Sequence, residues 1–164
     1  MSEEWRCITI SVTIVLKDKY LKITDGVIER INNYKQMYSD DTEAGGILVA
    51  RENIDTNNIV VEYVTEPYIG DKRSRTRFIR KDKKHIELFH NLHMENSGIY
   101  AYIGEWHTHP EKSPKYSKMD YINWRKIAQS NTSNMQSYYH IIVGTEEISV
   151  WEYVTKDKKC FKIL

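Results

Sequence analysis

Between residues 99 and 130 the sequence sets out a strand, a proline-broken loop and a helix, and any fold for this chain must accommodate that order. "IYAYIGEWH", 99–107, is rich in the aromatic and β-branched residues that suit a pleated sheet. Pro110 stops it, because proline has no amide to give a ladder, and Pro114 keeps the following segment extended or turned. Ser117 then opens a helix over 118–130, with Asp120 three positions on in a capping-box arrangement. Upstream, Ile8, Ile10, Val12, Ile14 and Leu16 alternate with polar residues and predict a half-buried strand. A turn at 17–19 leads to a second extended piece, Tyr20 to Ile23. Thr24 or Asp25 caps a helix whose apolar stripe is Val27, Ile28, Ile31, Tyr34 and Tyr38. Residues 44–50 and 58–66 read as a strand pair, 67–81 as irregular and basic, and 82–95 as a helix with Ile86, Phe89, Leu92 and His93 on one face. "YYHIIVGT" and "ISVWEYVT" add two strands. No linker, repeat or low-complexity segment divides the chain, so residues 1–164 are expected to form one α/β or α+β domain.

Composition narrows the function. A chain of 164 residues can bury a substantial core, and 40% hydrophobic with 29% charged residues is the balance of a soluble globular protein. Net charge of +1 favours neither nucleic acid nor an anionic membrane. The start, Met1-Ser2-Glu3-Glu4-Trp5, is acidic where a signal peptide is basic, and no stretch approaches the ~20 apolar residues of a membrane span. Cys7 and Cys160, near opposite ends, form neither a disulfide framework nor a zinc-thiolate pattern. A cytoplasmic location is expected.

His107 and His109 stand two apart at the end of the predicted strand, so both imidazoles project from one side. Asp120, in the first turn of the next helix, is placed to return as a third ligand. Three N/O ligands with an open fourth position is the catalytic arrangement of zinc, and the same donors suit other divalent metals. A plain strand followed by a capped helix would look alike, but capping and ligation are compatible, since the cap fixes Asp120 in place. Glu105 shares the parity of the histidines and is read as a hydrogen-bond partner for an imidazole N–H, as a rival base, or as a structural residue.

The full spacing, His-x-His-Pro, six residues, Ser, two residues, Asp, resembles the signature of the JAMM (MPN-plus) metallopeptidases, at His107, His109, Pro110, Ser117 and Asp120. Glu43-Ala44-Gly45-Gly46-Ile47-Leu48 matches the family's glutamate before a glycine-containing strand, and Val143-Gly144 is in keeping. Ala50 departs from the glycine of many members and touches no chemistry. The resemblance covers roughly residues 20–155. It implies a mixed curved sheet flanked by helices, a cytidine-deaminase-like architecture, and one zinc per chain on His107, His109 and Asp120. It also implies Glu43 as general base, Ser117 as oxyanion donor, and hydrolysis of peptide or isopeptide bonds after a ubiquitin-like C-terminus.

"GEWHTHPEKSP" and "KRSRTRFIRKD" further resemble bacterial stand-alone members that accompany conjugating-type enzymes in cyclic-oligonucleotide-based anti-phage signalling (CBASS) operons. The implied partner is the C-terminal tail of a conjugated CBASS nucleotidyltransferase. Processing of a sulfur-carrier or ubiquitin-like precursor tail would use the same bond chemistry. The basic run at 71–84, eight Lys or Arg against Asp71 and Asp82, admits three readings. It could be a nucleic-acid-binding stripe, a solvated loop, or a wall where Arg75 and Arg77 hold an extended, partly acidic tail. No metal ligand is missing, which disfavours a metal-free scaffold. His85, His90, His93 and His140 lack ligand spacing and are expected in core or surface roles.

Overall fold

Alternating or continuous apolar runs put eight segments of the chain into one sheet. The computed structural model describes residues 10–131 and 133–164. In chain order the elements are β1 (Val12–Val15), β2 (Tyr20–Ile23), α1 (Asp25–Asn32), β3 (Gly45–Glu52), β4 (Ile59–Val64), β5 (Lys72–Ser74), β6 (Arg77–Ile79), α2 (Lys84–Glu95), β7 (Tyr100–Thr108), α3 (Lys118–Ser130), β8 (Ser137–Val143), β9 (Ile148–Val154) and β10 (Lys159–Lys162). Eight strands form a mixed sheet in the order β1-β2-β4-β3-β7-β8-β9-β10, and β5 and β6 form a separate hairpin. Pairing is antiparallel except for β2 with β4 and β7 with β8. Parallel neighbours need a crossover connection, and α3 is the helix of the crossover from β7 to β8. It therefore starts beside the C-terminal end of β7, which brings Asp120 to the histidines.

The sheet is covered on both faces. Val27, Ile28 and Ile31 of α1 pack with Leu48, Ala50, Ile103 and Trp106 on one side. On the other, Phe89 and Leu92 of α2 cover Ile47, Val49 and Tyr100, while Trp124 of α3 covers Tyr138, Ile142 and Tyr153. β3 is buried on both faces, which is why its sequence is a continuous apolar run rather than an alternating one. Glu105 pairs with Ile47 and His107 with Ile142, so both lie on the α2/α3 face.

Gly104 sets that parity. It has φ 153°, and the pairing jumps from Leu48↔Gly104 to Val49↔Tyr102, so Ile103 is the extra residue of a bulge. Beyond the bulge, Glu105 and His107 rejoin the face that Tyr102 occupies before it. A Cβ at Gly104 would meet the carbonyl of Tyr139. Gly104→Ala is expected to cost about 2–5 kcal/mol, from a strained φ and an overpacked contact together. Denaturant unfolding measures it, and a loss below about 1 kcal/mol would mean the bulge can relax.

Several expectations need correction. α1 ends at Asn32. Tyr34 packs beyond it on the Trp106 ring, centroids 5.7 Å apart, while Tyr38 is 73% exposed. Buried Gln36 draws the chain out of helix: its amide donates to the carbonyls of Asp41 and Arg75 and accepts from the Thr108 hydroxyl. The segment 67–81 is not irregular throughout but carries the β5–β6 hairpin, whose three-residue strands are too short and too charged to show a period. β10, a short strand at the sheet edge, has no periodic signal in the sequence. The first strand covers Val12–Val15 with Ile10 exposed, and Ile8 and Cys7 lie outside the described residues. Among the described residues no helix is long and apolar enough to cross a membrane.

Candidate metal centre

His107 is the next-to-last residue of β7 and His109 follows the strand's end, with the His109 amide donating to the Val143 carbonyl at 2.9 Å so that strand geometry persists one residue past the last ladder pair. Thr108, pointing the other way, is fully buried and accepts the Ala44 amide through its hydroxyl. That bond ties the end of β7 to the start of β3, next to Glu43. From α3, Ser117 and Asp120 form a reciprocal capping box: the Asp120 amide donates to Ser117 Oγ at 3.1 Å, and the Ser117 amide to Asp120 Oδ2 at 2.6 Å.

These elements bring the three expected ligands together. His107 Nε2 and His109 Nε2 are 3.0 Å apart, His107 Nε2 lies 3.2 Å from Asp120 Oδ1, and His109 Nε2 lies 3.5 Å from Asp120 Oδ2. Donors about 2.0–2.2 Å from one tetrahedral ion stand about 3.3–3.6 Å apart, so a shift of a few tenths of an ångström seats one. Two imidazole nitrogens facing each other beside a carboxylate need a cation or a shared proton between them. The chemistry of the donor set therefore fits a divalent ion, and no second such cluster occurs among the described residues.

Electrostatics agree. Burial works against the Asp120 carboxylate, yet hydrogen bonds from His107 and His109 hold its pKa far below the usual range. Burial likewise lowers His109, but the hydrogen bond and charge of Asp120 outweigh it and raise the imidazole above its ordinary value. A ligand nitrogen must lose its proton before an ion binds. Metal affinity is thus expected to rise with pH through the imidazole range, with proton release on binding. Competition titrations at several pH values read this, and a pH-independent affinity would contradict it.

Glu43 sits just before β3, 6% exposed, in the same groove as the ligands. Burial raises its carboxyl pKa against the pull of the two imidazoles. The β5–β6 hairpin grips its backbone: its amide donates to the Ser74 carbonyl at 2.8 Å, and Arg73 Nε donates to its carbonyl at 2.7 Å. The groove, about 550 Å³, runs between β6 and α3 over the end of β7.

Two expectations change. Arg75 does not line the groove, since its guanidinium is spent on the carbonyls of Tyr38 and Ser39 at 2.9 and 2.7 Å. Arg77 does line it. With Arg73 and Arg75 engaged on carbonyls, the basic run is in part a set of clamps on the Glu43 loop, which weakens a phosphate-binding stripe. Glu105 lies in the groove beside the histidines but holds neither; its carboxylate accepts Arg80 Nε at 2.9 Å and the Tyr102 hydroxyl at 3.2 Å. Arg80, 25 positions away, could not be paired with it from spacing.

His85 and His140 prove to be core residues. His85 lies between the Thr65 hydroxyl and Asp71, whose carboxylate also accepts the amides of Tyr68, Lys81 and Asp82. This buried knot shapes the 67–82 segment that carries the hairpin, and no spacing in the sequence reveals it. His140 stacks on Trp124 at 4.4 Å, and burial lowers its pKa to about 3, so it is neutral.

A domain with this fold and this His-His-Asp centre has known relatives. Residues 32–154 match the family of prokaryotic homologs of the JAB domain, and the chain belongs to that family. A protein of Escherichia coli (strain TW11681) named CD-NTase/cGAS isopeptidase is 32% identical over 88% of this chain and 89% of its own length. Its namesake in Vibrio cholerae is 31% identical over 83% and 85%, and that of Pseudomonas aeruginosa 30% over 79% and 80%. A solution structure of a protein from Desulfitobacterium hafniense superposes with a TM-score of 0.54 at 18% identity, over 85% of this chain and 87% of that one, which supports the fold alone.

Proposed function

We propose that residues 1–164 act as one cytoplasmic zinc-dependent isopeptidase domain that releases a CD-NTase, a cyclic-nucleotide-synthesising nucleotidyltransferase of CBASS defence, from proteins to which its C-terminal tail is conjugated. The observation that carries this reading is the convergence of His107, His109 and Asp120 within one groove that also holds buried Glu43. Relatives bearing the isopeptidase name along most of their length support the substrate class.

The roles follow from position. His107, His109 and Asp120 hold the ion, which supplies the Lewis acidity that makes water a competent nucleophile near neutral pH. Glu43 takes the proton from the attacking water and returns it to the leaving ε-amine of the target lysine. Its raised pKa suits the first half of that task, because the carboxylate of a stronger acid would be too weak a base to take the water's proton. Ser117 Oγ accepts from the Asp120 amide, which leaves the hydroxyl proton free for the oxyanion that develops on the scissile carbonyl.

The test is cleavage of a CD-NTase tail joined by isopeptide bond to a reporter lysine. Mass spectrometry is expected to show an intact tail carboxylate and a free ε-amine, with activity lost to a chelator and restored by zinc. Cleavage that is indifferent to the chelator would refute the metallopeptidase reading. Cleavage confined to a linear precursor tail would favour processing over deconjugation.

A further inference from the structure

Glu105 stands one step before His107 on the same side of β7, and Arg80 reaches it from just past β6. Arg80 Nε donates to Glu105 Oε1 at 2.9 Å, and the Tyr102 hydroxyl donates to the same oxygen at 3.2 Å. The arginine is thus held at its root, with its side chain 26% exposed and both residues lining the groove. Among the described residues, no hydrogen-bond acceptor is engaged by its two terminal amino groups.

The groove has a direction. One wall is the face of α3 that carries Asp120, Asn123, Ile127 and Ser130, and the other is β6. At about 1.5 Å per residue that stretch of helix spans about 15 Å, room for four or five extended residues at about 3.3 Å each. Any tail laid along it towards the ligands passes Arg80.

What Arg80 can hold there is decided by charge. Its positive charge is already neutralised by Glu105, and the groove's other carboxylates, Glu43, Glu111 and Asp120, offset its other cations, Arg77 and Lys126. A carboxylate side chain would gain little net attraction at this point. A main-chain carbonyl, which needs a fixed donor and no net charge, is matched. We propose that Arg80, oriented by Glu105, binds a main-chain carbonyl of the substrate tail and so selects an extended backbone rather than an acidic side chain. Glu105 is a positioning residue acting through Arg80. This inference rests on the peptidase reading of the site.

Arg80→Lys tests it while keeping a cation for Glu105, so the fold is preserved. The probes are short tail peptides acylating the ε-amine of a fluorescent lysine, in acidic, neutral and alanine-only versions. Losing a fixed charged donor to a carbonyl is worth about ten- to a hundredfold. KM is expected to rise by about that factor for all three probes, with kcat within about twofold and metal content unchanged. KM of the unaltered protein is expected to vary less than about threefold between about 50 and 300 mM salt. Glu105→Gln leaves Arg80 unneutralised and is expected to create a preference for the acidic probe that the unaltered protein lacks. An unchanged KM in Arg80→Lys, or an acidic preference already present and lost in that variant, would overturn the proposal. Anisotropy of the same probes on Glu43→Gln reads binding without turnover. A protein that binds them through Arg80 yet never cleaves them would sink the peptidase reading and leave the carbonyl site standing.

Discussion

Glu43→Ala is expected to lower hydrolysis of an isopeptide conjugate by about 10²–10⁴-fold, towards the upper end, while zinc content and conjugate binding stay nearly intact. The large effect follows from the double use proposed for this carboxylate, on the attacking water and on the departing amine. The spared metal follows from position, because the three proposed ligands lie on β7, just past its end and on α3, and none on the Glu43 loop. That loop is held through main-chain groups, by Arg73 on its carbonyl and Ser74 on its amide, so removing the side chain leaves its path in place. The variant therefore becomes a trap for intact conjugates. Turnover assays with a pull-down check both halves. Retention of more than about a tenth of the activity would be too small a loss for a general base, and concurrent loss in Glu105→Gln would shift that role to Glu105.

Asp120→Ala is expected to be as damaging for a different reason. It removes one of the three proposed ligands and also half of the capping box that seats Ser117. Activity should fall to background, and the helix cap should lose about 1 kcal/mol. Asp120→Asn separates the two effects. Its amide oxygen can still accept the Ser117 amide, so stability should recover while activity does not. Thermal unfolding alongside turnover reads the pair. Full stability in Asp120→Ala would show that the cap is dispensable, and near-normal turnover in Asp120→Asn would show that the carboxylate charge is not needed at the ion.

The site was legible where it is local. Strand parity from Glu105 to His109 and the Ser117–Asp120 cap depend on neighbours a few residues away, and the structure keeps both. Parity counted from further back on the strand would have failed at Gly104, where the bulge at Ile103 shifts the faces by one. Glu43 is read from its resemblance to the family motif; in isolation it is a charge after an acidic stretch, and its burial comes from a hairpin thirty positions away. Long-range pairings were hidden for the same reason. Whether Arg75 faces the groove depends on carbonyls at Tyr38 and Ser39 that a tight turn presents, and the partner of Glu105 depends on where β6 ends. The sheet itself was read well because its strands alternate or run apolar, whereas β5, β6 and β10 are short and charged and show no period.

Elemental analysis of three purified proteins tests the central claim most directly: the unaltered chain, Asp120→Ala and Glu43→Gln. The ligand geometry predicts about one zinc per chain in the first and third, and a loss of at least about tenfold in the second, where two imidazoles remain without the carboxylate. Undiminished zinc in Asp120→Ala would contradict the assignment of His107, His109 and Asp120 as one metal centre.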